Sequence, residues 1–173
     1  MDLGLKGKKV LVTGSTKGLG RAIAETMLAE GASVAICARN AEEVAAAVAE
    51  MSKIGKVVGA SVDAADPEAL RAWVASSAEQ LGGIDVYVHN TSGKPARKLE
   101  AWINNFNIDL MSLVHGVDAA KEALANGGGS VISIGTTATS EHFASGSGSY
   151  SAMKSAVVNW TLGQAQVLGA QGI

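Results

Sequence analysis

Short apolar runs alternate with amphipathic stretches along almost the whole chain. The runs are nearly continuous in hydrophobic residues, which is typical of strands buried on both faces. The stretches between them have helical periodicity. Alternation of this kind predicts a doubly wound parallel sheet of the Rossmann type with helices on both faces, in one α/β domain over residues 1–173. The predicted strands are 8–14, 33–39, 56–63, 86–90 and 130–136, and the predicted helices are 21–31, 41–55, one capped by Asp66, 99–125 and one containing Tyr150.

Polar residues at two predicted helix starts support this assignment. Asn40 precedes the alanine-rich stretch from Ala41, and Asp66 is followed by Pro67 and Glu68. Asparagine and aspartate accept hydrogen bonds from the free N–H groups of a first helical turn, and proline is favoured at the first helical position. Both helices are therefore expected to begin directly after these residues.

Composition narrows the class of protein without identifying it. The chain has 173 residues, of which 47% are hydrophobic and 17% charged, so it is expected to fold around a core. A formal net charge of −2 predicts no general attraction to nucleic acid or anionic membranes. No run reaches the roughly 18 to 20 apolar residues of a membrane span, and the N-terminus does not resemble a signal peptide. The single cysteine, Cys37, excludes an intrachain disulfide and predicts a cytoplasmic protein.

The segment TGSTKGLG, residues 13–20, joins the first predicted strand to the first helix. Glycines at such a turn permit unusual backbone angles and close approach, and the following helix N-terminus attracts phosphate. We therefore expect a dinucleotide to bind here. The candidate cofactor-binding residues of the loop are Gly14, Ser15, Thr16, Lys17, Gly18, Leu19 and Gly20.

The end of the second strand bears on which dinucleotide binds. An acidic residue there would accept hydrogen bonds from the adenosine ribose, but this chain has Arg39, with Lys17 in the glycine loop. Two cations suit the additional 2′-phosphate of NADP, so NADP(H) is predicted to be preferred over NAD(H). The alternative is that Arg39 only solvates a strand end.

Tyr150 and Lys154 stand one helical turn apart in SYSAMKSAVVNW, residues 149–160. Residues at this spacing always meet on a helix face, so the pair alone has no chemical meaning. The other interpretation is that the ammonium favours the ionised phenol and makes Tyr150 a proton donor and acceptor. The spacing alone favours the first interpretation, so the rest of the sequence has to decide.

Taken in order, these motifs resemble the short-chain dehydrogenase/reductase family, in the general style of bacterial 3-oxoacyl-carrier-protein reductases. TGSTKGLG resembles the family's TGxxxGxG, YSAMK resembles YxxxK, and HNTSG at 89–93 stands where the family has NNAG, with only Asn90 matching cleanly. The resemblance implies a hydride exchange between a nicotinamide cofactor and a carbonyl or alcohol. It assigns proton transfer to Tyr150, and activation of Tyr150 and ribose binding to Lys154. It also assigns Asn90 to the cofactor site and Asp63 to the adenine ring.

Two further site residues follow from the resemblance with alternatives. The family's substrate-holding serine at the end of the fifth strand is replaced by threonine: Thr136 fits by strand position and Thr137 by its distance to Tyr150. Asp109 stands where relatives often have an asparagine that holds a water of the proton relay. Either the relay is altered here, with the carboxylate holding the water, or the correspondence slips near Asn107.

The resemblance also implies what surrounds the site. Relatives continue beyond the helix that contains Lys154 into further strands, so the C-terminal strands are expected to be missing from this chain and the fifth strand to lie at a sheet edge. Relatives form dimers or tetramers through the two long helices, which begin here at Leu99 and Ser149. A homo-oligomer acting on a small-molecule substrate is therefore expected, and the alternative is a non-catalytic dinucleotide-binding or interaction module.

Other constellations are weak. The three histidines, His89, His115 and His142, are widely spaced and have no HExxH motif, so no metal site is predicted. No GxSxG segment occurs, which argues against the commonest α/β serine hydrolases.

Overall fold

The sheet and its helices alternate along the chain as the hydrophobic pattern predicts. The computed structural model describes residues 2–93, 98–141 and 148–173. The strands are β1 (Lys9–Thr13), β2 (Ser33–Ala38), β3 (Val57–Ser61), β4 (Val86–His89) and β5 (Ser130–Ser133). The α-helices are α1 (Gly18–Ala29), α2 (Ala41–Met51), α3 (Pro67–Leu81), α4 (Leu99–Asn105), α5 (Ser112–Ala125) and α6 (Gly148–Leu168). Short 3₁₀ turns cover Thr137–Thr139 and Gly169–Gln171.

The five strands form one parallel sheet in the order β3-β2-β1-β4-β5. Alternate residues of the central strand face opposite layers. Leu11 packs in a core that includes residues of α3, α5 and α6, while Val10 and Val12 pack in a second core with residues of α1 and α2. The doubly wound α/β fold predicted from the sequence is thereby confirmed.

Both predicted caps are present. The Asn40 side-chain oxygen accepts a hydrogen bond from the Glu43 N–H at 3.0 Å, and the Asp66 carboxylate accepts from the N–H groups of Glu68 and Ala69. These bonds satisfy N–H groups that have no partner within the helix. The cap at Asn40 places Glu43 in the first turn of α2.

The predicted helix from Leu99 to Ala125 is interrupted. A π-helical segment, Phe106–Met111, lies between α4 and α5. Asn105, Asp109 and Ser112 are all buried around this segment, on the side that contacts β4 and α6. Single π turns often occur at functional sites, because they redirect side chains without ending the helix.

Strand β5 lies at one edge of the sheet. Among the described residues it pairs only with β4, and the Ile132 side chain is 41% exposed. A parallel strand with an exposed apolar side chain is unusual, since parallel sheets are normally covered on both faces.

Candidate active site

The strand order creates a crevice beside the central strand. Strand β1 has β2 on one side and β4 on the other, so the connections that follow these strands leave in opposite directions. Ligands of open α/β sheets bind at this switch point, outside the carboxyl ends of the strands. The glycine loop follows β1, and Asn90 follows β4.

The glycines of the loop serve different purposes. Gly14 and Gly18 have φ values of +62° and +58°, which disfavour any residue with a Cβ atom. Gly20 has ordinary angles, but a Cβ atom there would lie 2.4 Å from the Asn90 amide nitrogen and 2.5 Å from the Gly14 oxygen. Helix α1 begins at Gly18, and no side chain caps it. Its first N–H groups are therefore suited to an anion.

Asn90 and Thr13 tie the loop to β4. The Asn90 side-chain amide donates to the carbonyl oxygens of Thr13 and Gly14, at 3.1 and 2.9 Å. The buried Thr13 hydroxyl accepts from the N–H groups of Asn90 and Thr91, at 3.0 and 3.1 Å. Sequence analysis missed Thr13, although a hydroxyl residue ending an otherwise apolar strand is a usable signal. Together these bonds form a rigid floor beneath the glycine turn.

Two of the predicted loop residues do not direct their side chains at the crevice. The buried Ser15 hydroxyl donates to the Val12 carbonyl at 2.6 Å and accepts from the Cys37 N–H at 3.3 Å. Leu19 is an exposed residue of α1. The Ser15 side chain therefore links β1 to β2. At Ser15 itself, only backbone atoms remain to contact a ligand.

A pocket of about 460 Å³ opens beside the glycine loop. Its lining includes six of the predicted cofactor-binding residues, namely Gly14, Thr16, Lys17, Arg39, Asp63 and Asn90. Arg39 is exposed at the end of β2, and the Asp63 carboxylate accepts from the Ala65 N–H at 3.0 Å. The pocket thus joins the ends of β1, β2, β3 and β4 into one concave surface.

One acidic residue in this lining was not predicted. Glu43 accepts from the Thr16 hydroxyl at 3.2 Å, and its carboxylate lies 3.4 Å from the Lys17 ammonium. This contact could not be predicted from the local sequence, because Glu43 is 26 residues away from Lys17 along the chain.

The one cysteine of the chain, Cys37, is among the lining residues and is chemically inert there. Cys37 contributes to the lining but is almost fully buried. Burial raises the pKa of its thiol to about 12, although a hydrogen bond with the Gly14 backbone opposes part of this change. The thiol stays protonated at neutral pH, so it is not a nucleophile.

Lys154 lies between the Tyr150 ring and a buried carboxylate. The Lys154 ammonium lies 6.0 Å from the centroid of the Tyr150 ring and 3.5 Å from the Asp109 carboxylate, and it donates to the Ile134 carbonyl at 3.1 Å. Lys154 and Asp109 are both buried, whereas Tyr150 is half-buried. A lysine held in this way cannot swing into solvent, and its positive charge is fixed beside the phenol.

Two of the side chains at positions that depart from the family motifs are in contact. The resemblance implies an asparagine where Asp109 stands, and Ser92 belongs to the segment HNTSG that differs from NNAG. The Ser92 hydroxyl donates to the Asp109 carboxylate at 2.8 Å, and the Gly93 N–H donates to the same oxygen at 3.1 Å. Ser92 also lines the cofactor pocket. A chain of contacts therefore runs from the pocket through Ser92 and Asp109 to Lys154.

A buried histidine, His89, is hydrogen-bonded to Ser112, next to the π-helical segment that contains Asp109. The Ser112 hydroxyl donates to the Ile108 carbonyl at 2.6 Å, so it accepts from Nε2 of His89 at 2.7 Å. Nδ1 of His89 has no hydrogen-bond partner within the described part of the chain. Burial and the nearby Lys154 charge lower the pKa of His89 to about 3. The imidazole of His89 is therefore neutral at physiological pH.

The two threonine candidates differ in exposure. Thr136 is half-buried, and its hydroxyl caps the following 3₁₀ turn by accepting from the Ala138 N–H at 3.3 Å. Thr137 is exposed. Both follow β5 closely, at the same end of the sheet as Lys154.

Asn105 was also missed by sequence analysis. Oriented with its oxygen toward α6, the buried Asn105 amide accepts from the Tyr150 N–H at 3.3 Å and donates to the Ala101 carbonyl at 3.1 Å. It therefore fixes the first turn of the helix that contains Tyr150. Nothing in the run INNFNIDL distinguishes this asparagine from its neighbours.

The described residues hold neither a metal-binding cluster nor a membrane-spanning helix. Across 2–93, 98–141 and 148–173, no group of three or more His, Cys, Asp or Glu residues is placed to hold a metal ion. His142 lies outside these ranges. In the same residues, no helix has both the length and the apolar character needed to cross a bilayer.

Comparison with known proteins agrees with the geometry. The chain is 34% identical to isoepoxydon dehydrogenase of Penicillium expansum over all of its length and 69% of that protein's length. It is 29% identical to the 3-oxoacyl-[acyl-carrier-protein] reductase of Vibrio harveyi, with 99% of the chain and 71% of the relative aligned.

Solved structures have the same fold. A short-chain dehydrogenase from Burkholderia cenocepacia in complex with NADP superposes with a TM-score of 0.88 at 33% identity, covering 98% of this chain and 71% of the other. A 7α-hydroxysteroid dehydrogenase in complex with NADH and a bile-acid ligand superposes with a TM-score of 0.93 at 26% identity, covering 98% and 68%. The family model described as short chain dehydrogenase matches residues 8–173. This chain therefore belongs to the short-chain dehydrogenase/reductase family of oxidoreductases.

Proposed function

We propose that the protein is an NADP(H)-dependent oxidoreductase that interconverts a carbonyl and an alcohol, with Tyr150 as the acid and base. The observation that carries this proposal is the buried position of the Lys154 ammonium. It is held by Asp109 and the Ile134 carbonyl, 6.0 Å from the Tyr150 ring. A buried charge is costly unless it is paired, so packing alone does not account for a buried ammonium at this position.

The pocket has the donor set that a dinucleotide requires. The uncapped start of α1 offers N–H groups to the pyrophosphate, and Asp63 and Arg39 lie where the adenosine would be held. Tyr150 and Lys154 would hold the nicotinamide ribose, as the family resemblance implies. When bound, the cofactor supplies or accepts the hydride.

The protein's own residues manage the proton. Tyr150 donates a proton to the substrate oxygen during reduction and removes it during oxidation. Asp109 and the Ile134 carbonyl hold the Lys154 ammonium in place beside the Tyr150 ring. Thr136, with Thr137 as the alternative, holds the substrate oxygen by a hydrogen bond.

The preference for NADP(H) is supported by two cations in the pocket lining, Arg39 and Lys17. Guanidinium and ammonium groups both bind phosphate, and the Burkholderia relative is an NADP complex. Another relative is an NADH complex, so the family alone does not decide. Titration with both reduced cofactors tests the preference, and tighter binding of NADH would contradict it.

The decisive experiment compares the two tyrosines of the chain. Tyr150→Phe is expected to abolish turnover of carbonyl substrates while NADPH still binds, because only the phenol oxygen is removed. Tyr87→Phe is the matched control: Tyr87 is buried in the core, and its hydroxyl has no partner in the described residues. Turnover by Tyr150→Phe at the rate of Tyr87→Phe would refute the assignment. A wild-type protein that binds NADPH and reduces none of a broad carbonyl panel would favour the non-catalytic binding module.

We also propose a cytoplasmic homo-oligomer. Exposed apolar side chains follow the two helices that the resemblance places at a subunit boundary, among them Leu99, Ile103 and Phe106 near α4, and Val158 and Leu162 on α6. Such faces are usually covered by another surface. Sedimentation of the purified protein tests this, and a monomer at micromolar concentration would contradict it.

A further inference from the structure

The Glu43 carboxylate contacts the same side chains that a bound phosphate would contact. It accepts a hydrogen bond from the Thr16 hydroxyl at 3.2 Å. Both of its oxygens lie 3.4 Å from the Lys17 ammonium. All three residues line the same pocket as Arg39. The negative charge of Glu43 therefore lies among the residues that the sequence predicts to bind the 2′-phosphate.

The position of Glu43 follows from the start of α2. The Asn40 side chain caps this helix by accepting from the Glu43 N–H at 3.0 Å, which places Glu43 in the first turn beside the glycine loop. Glu42 lies in the same turn and is exposed, but it is not part of the lining. Either glutamate would favour the helix dipole, so that role does not explain why one of them contacts the loop.

A carboxylate here has opposite effects on the two cofactors. It repels a 2′-phosphate, and it occupies Lys17 and Thr16, which the phosphate needs. Toward a ribose without the phosphate it offers an acceptor for the free hydroxyls, the role usually given to an acidic residue at the end of the second strand. Arg39 occupies that strand end in this chain.

We propose that Glu43 is a specificity-determining residue that opposes binding of the 2′-phosphate and so limits the preference for NADP(H). Lys17 and Thr16 are released from Glu43 when a phosphate binds between them, whereas NADH needs no such release. This inference rests on the proposed function, because it places the phosphate beside Lys17 and Arg39.

The test measures dissociation constants for NADPH and NADH with the wild type, Glu43→Gln and Glu42→Gln. Glutamine keeps the size of the side chain and an oxygen for Thr16, and removes only the charge. The ratio of the NADH to the NADPH constant is expected to rise by about tenfold in Glu43→Gln and to stay unchanged in Glu42→Gln. High salt is expected to shrink the difference, because the pair is exposed, with side-chain exposures of 80% for Lys17 and 43% for Glu43.

The outcomes separate this inference from the proposed function. A wild type that prefers NADPH, with an unchanged ratio in Glu43→Gln, overturns the inference and leaves the function standing. A wild type that prefers NADH, with a shift toward NADPH in Glu43→Gln alone, supports the inference and overturns the stated cofactor preference. An equal shift in both variants overturns the inference, because net charge would then explain it.

Adenosine 2′,5′-bisphosphate and adenosine 5′-monophosphate provide the same comparison for the adenosine half of the pocket. Stronger binding of the bisphosphate by Glu43→Gln than by the wild type supports the inference. Failure of the bisphosphate to bind either form overturns it.

Discussion

Asp109 is a buried carboxylate with several partners. It meets Lys154, the Ser92 hydroxyl and the Gly93 N–H, at a position where the family resemblance implies an asparagine. A buried carboxylate is costly unless its charge is paired and its oxygens accept hydrogen bonds. Ser92 and Gly93 both donate to Oδ1 of Asp109, whereas Oδ2 is buried and has no hydrogen-bond partner in the described residues. The Ser92 hydroxyl is therefore one of two donors that stabilise the Asp109 charge.

This pairing predicts non-additive stability changes. Ser92→Ala removes a hydrogen bond to a charged group, but Ser92 is exposed and the Gly93 N–H still donates to Asp109, so the free energy of unfolding is expected to fall by about 0.5 to 1.5 kcal/mol. In an Asp109→Asn background the same change is expected to cost at least about 0.5 kcal/mol less, because the charge is gone. Denaturant unfolding of the two single variants and the double variant measures the coupling.

The control for this cycle is Ser52→Ala. The Ser52 hydroxyl donates only to the Ala49 carbonyl within its own exposed helix end, so about 0.5 kcal/mol or less is expected. Strictly additive effects of Ser92→Ala and Asp109→Asn would show that the two residues are independent.

Helix α5 packs closely against β4 at Gly116. A Cβ atom added at Gly116 on α5 would lie 1.9 Å from the Tyr87 hydroxyl oxygen on β4. Both residues are buried, and the strand cannot retreat because β1 and β5 flank it. Glycine at 116 is thus required by the packing of a helix on a strand.

Gly116→Ala is expected to lower the free energy of unfolding by about 1 to 3 kcal/mol, the usual effect of overpacking a core. Gly163→Ala is the matched control, because Gly163 is also helical and a Cβ atom there meets nothing within 4 Å. That change is expected to stabilise by about 0.5 to 1 kcal/mol, since alanine is the better helix former. Thermal unfolding measures both, and equal stability of the two variants would contradict the close approach.

The elements were predictable from local signals, and their side-chain contacts were not. Continuous apolar runs predicted all five strands, and Asn40 and Asp66 marked helix starts because a cap acts within three residues. The π segment was missed because its cause lies in packing against β4 and α6. Thr13 could have been found from its position at the end of an apolar strand, whereas Ser92, Asn105 and Glu43 were missed because the residues they contact across the fold, Asp109, Tyr150 and Thr16, are at least 17 residues away. A single sequence contains no signal for such distances.

For the molecule as a whole, His89 couples stability to pH. Its pKa is lowered to about 3 by burial and by the Lys154 charge, against about 6.5 for an unfolded histidine. Between these two values the unfolded chain binds a proton that the folded chain does not. Stability contributed by the neutral imidazole is therefore complete above about pH 6.5 and is lost as the pH falls toward 3.

His89→Asn is expected to flatten this dependence. The wild type should lose up to about 1.4 kcal/mol more per pH unit than the variant between pH 6 and pH 4, which is the effect of one proton. Denaturant unfolding at several pH values measures the difference, with His115→Asn as the control because His115, on α5, is only half-buried whereas His89 is fully buried. Identical pH profiles of the wild type and His89→Asn would contradict a neutral buried His89.

The floor beneath the glycine turn has a consequence for how the chain acquires its binding surface. The Asn90 bonds to Thr13 and Gly14 join residues 77 and 76 positions apart. Strands β1, β2 and β3 pair with their neighbours in sequence, but the turn stays unsupported until β4 has been synthesised and has closed that long loop. The cofactor pocket is therefore expected to be a late product of folding, and a growing chain shorter than about Asn90 should not retain a dinucleotide.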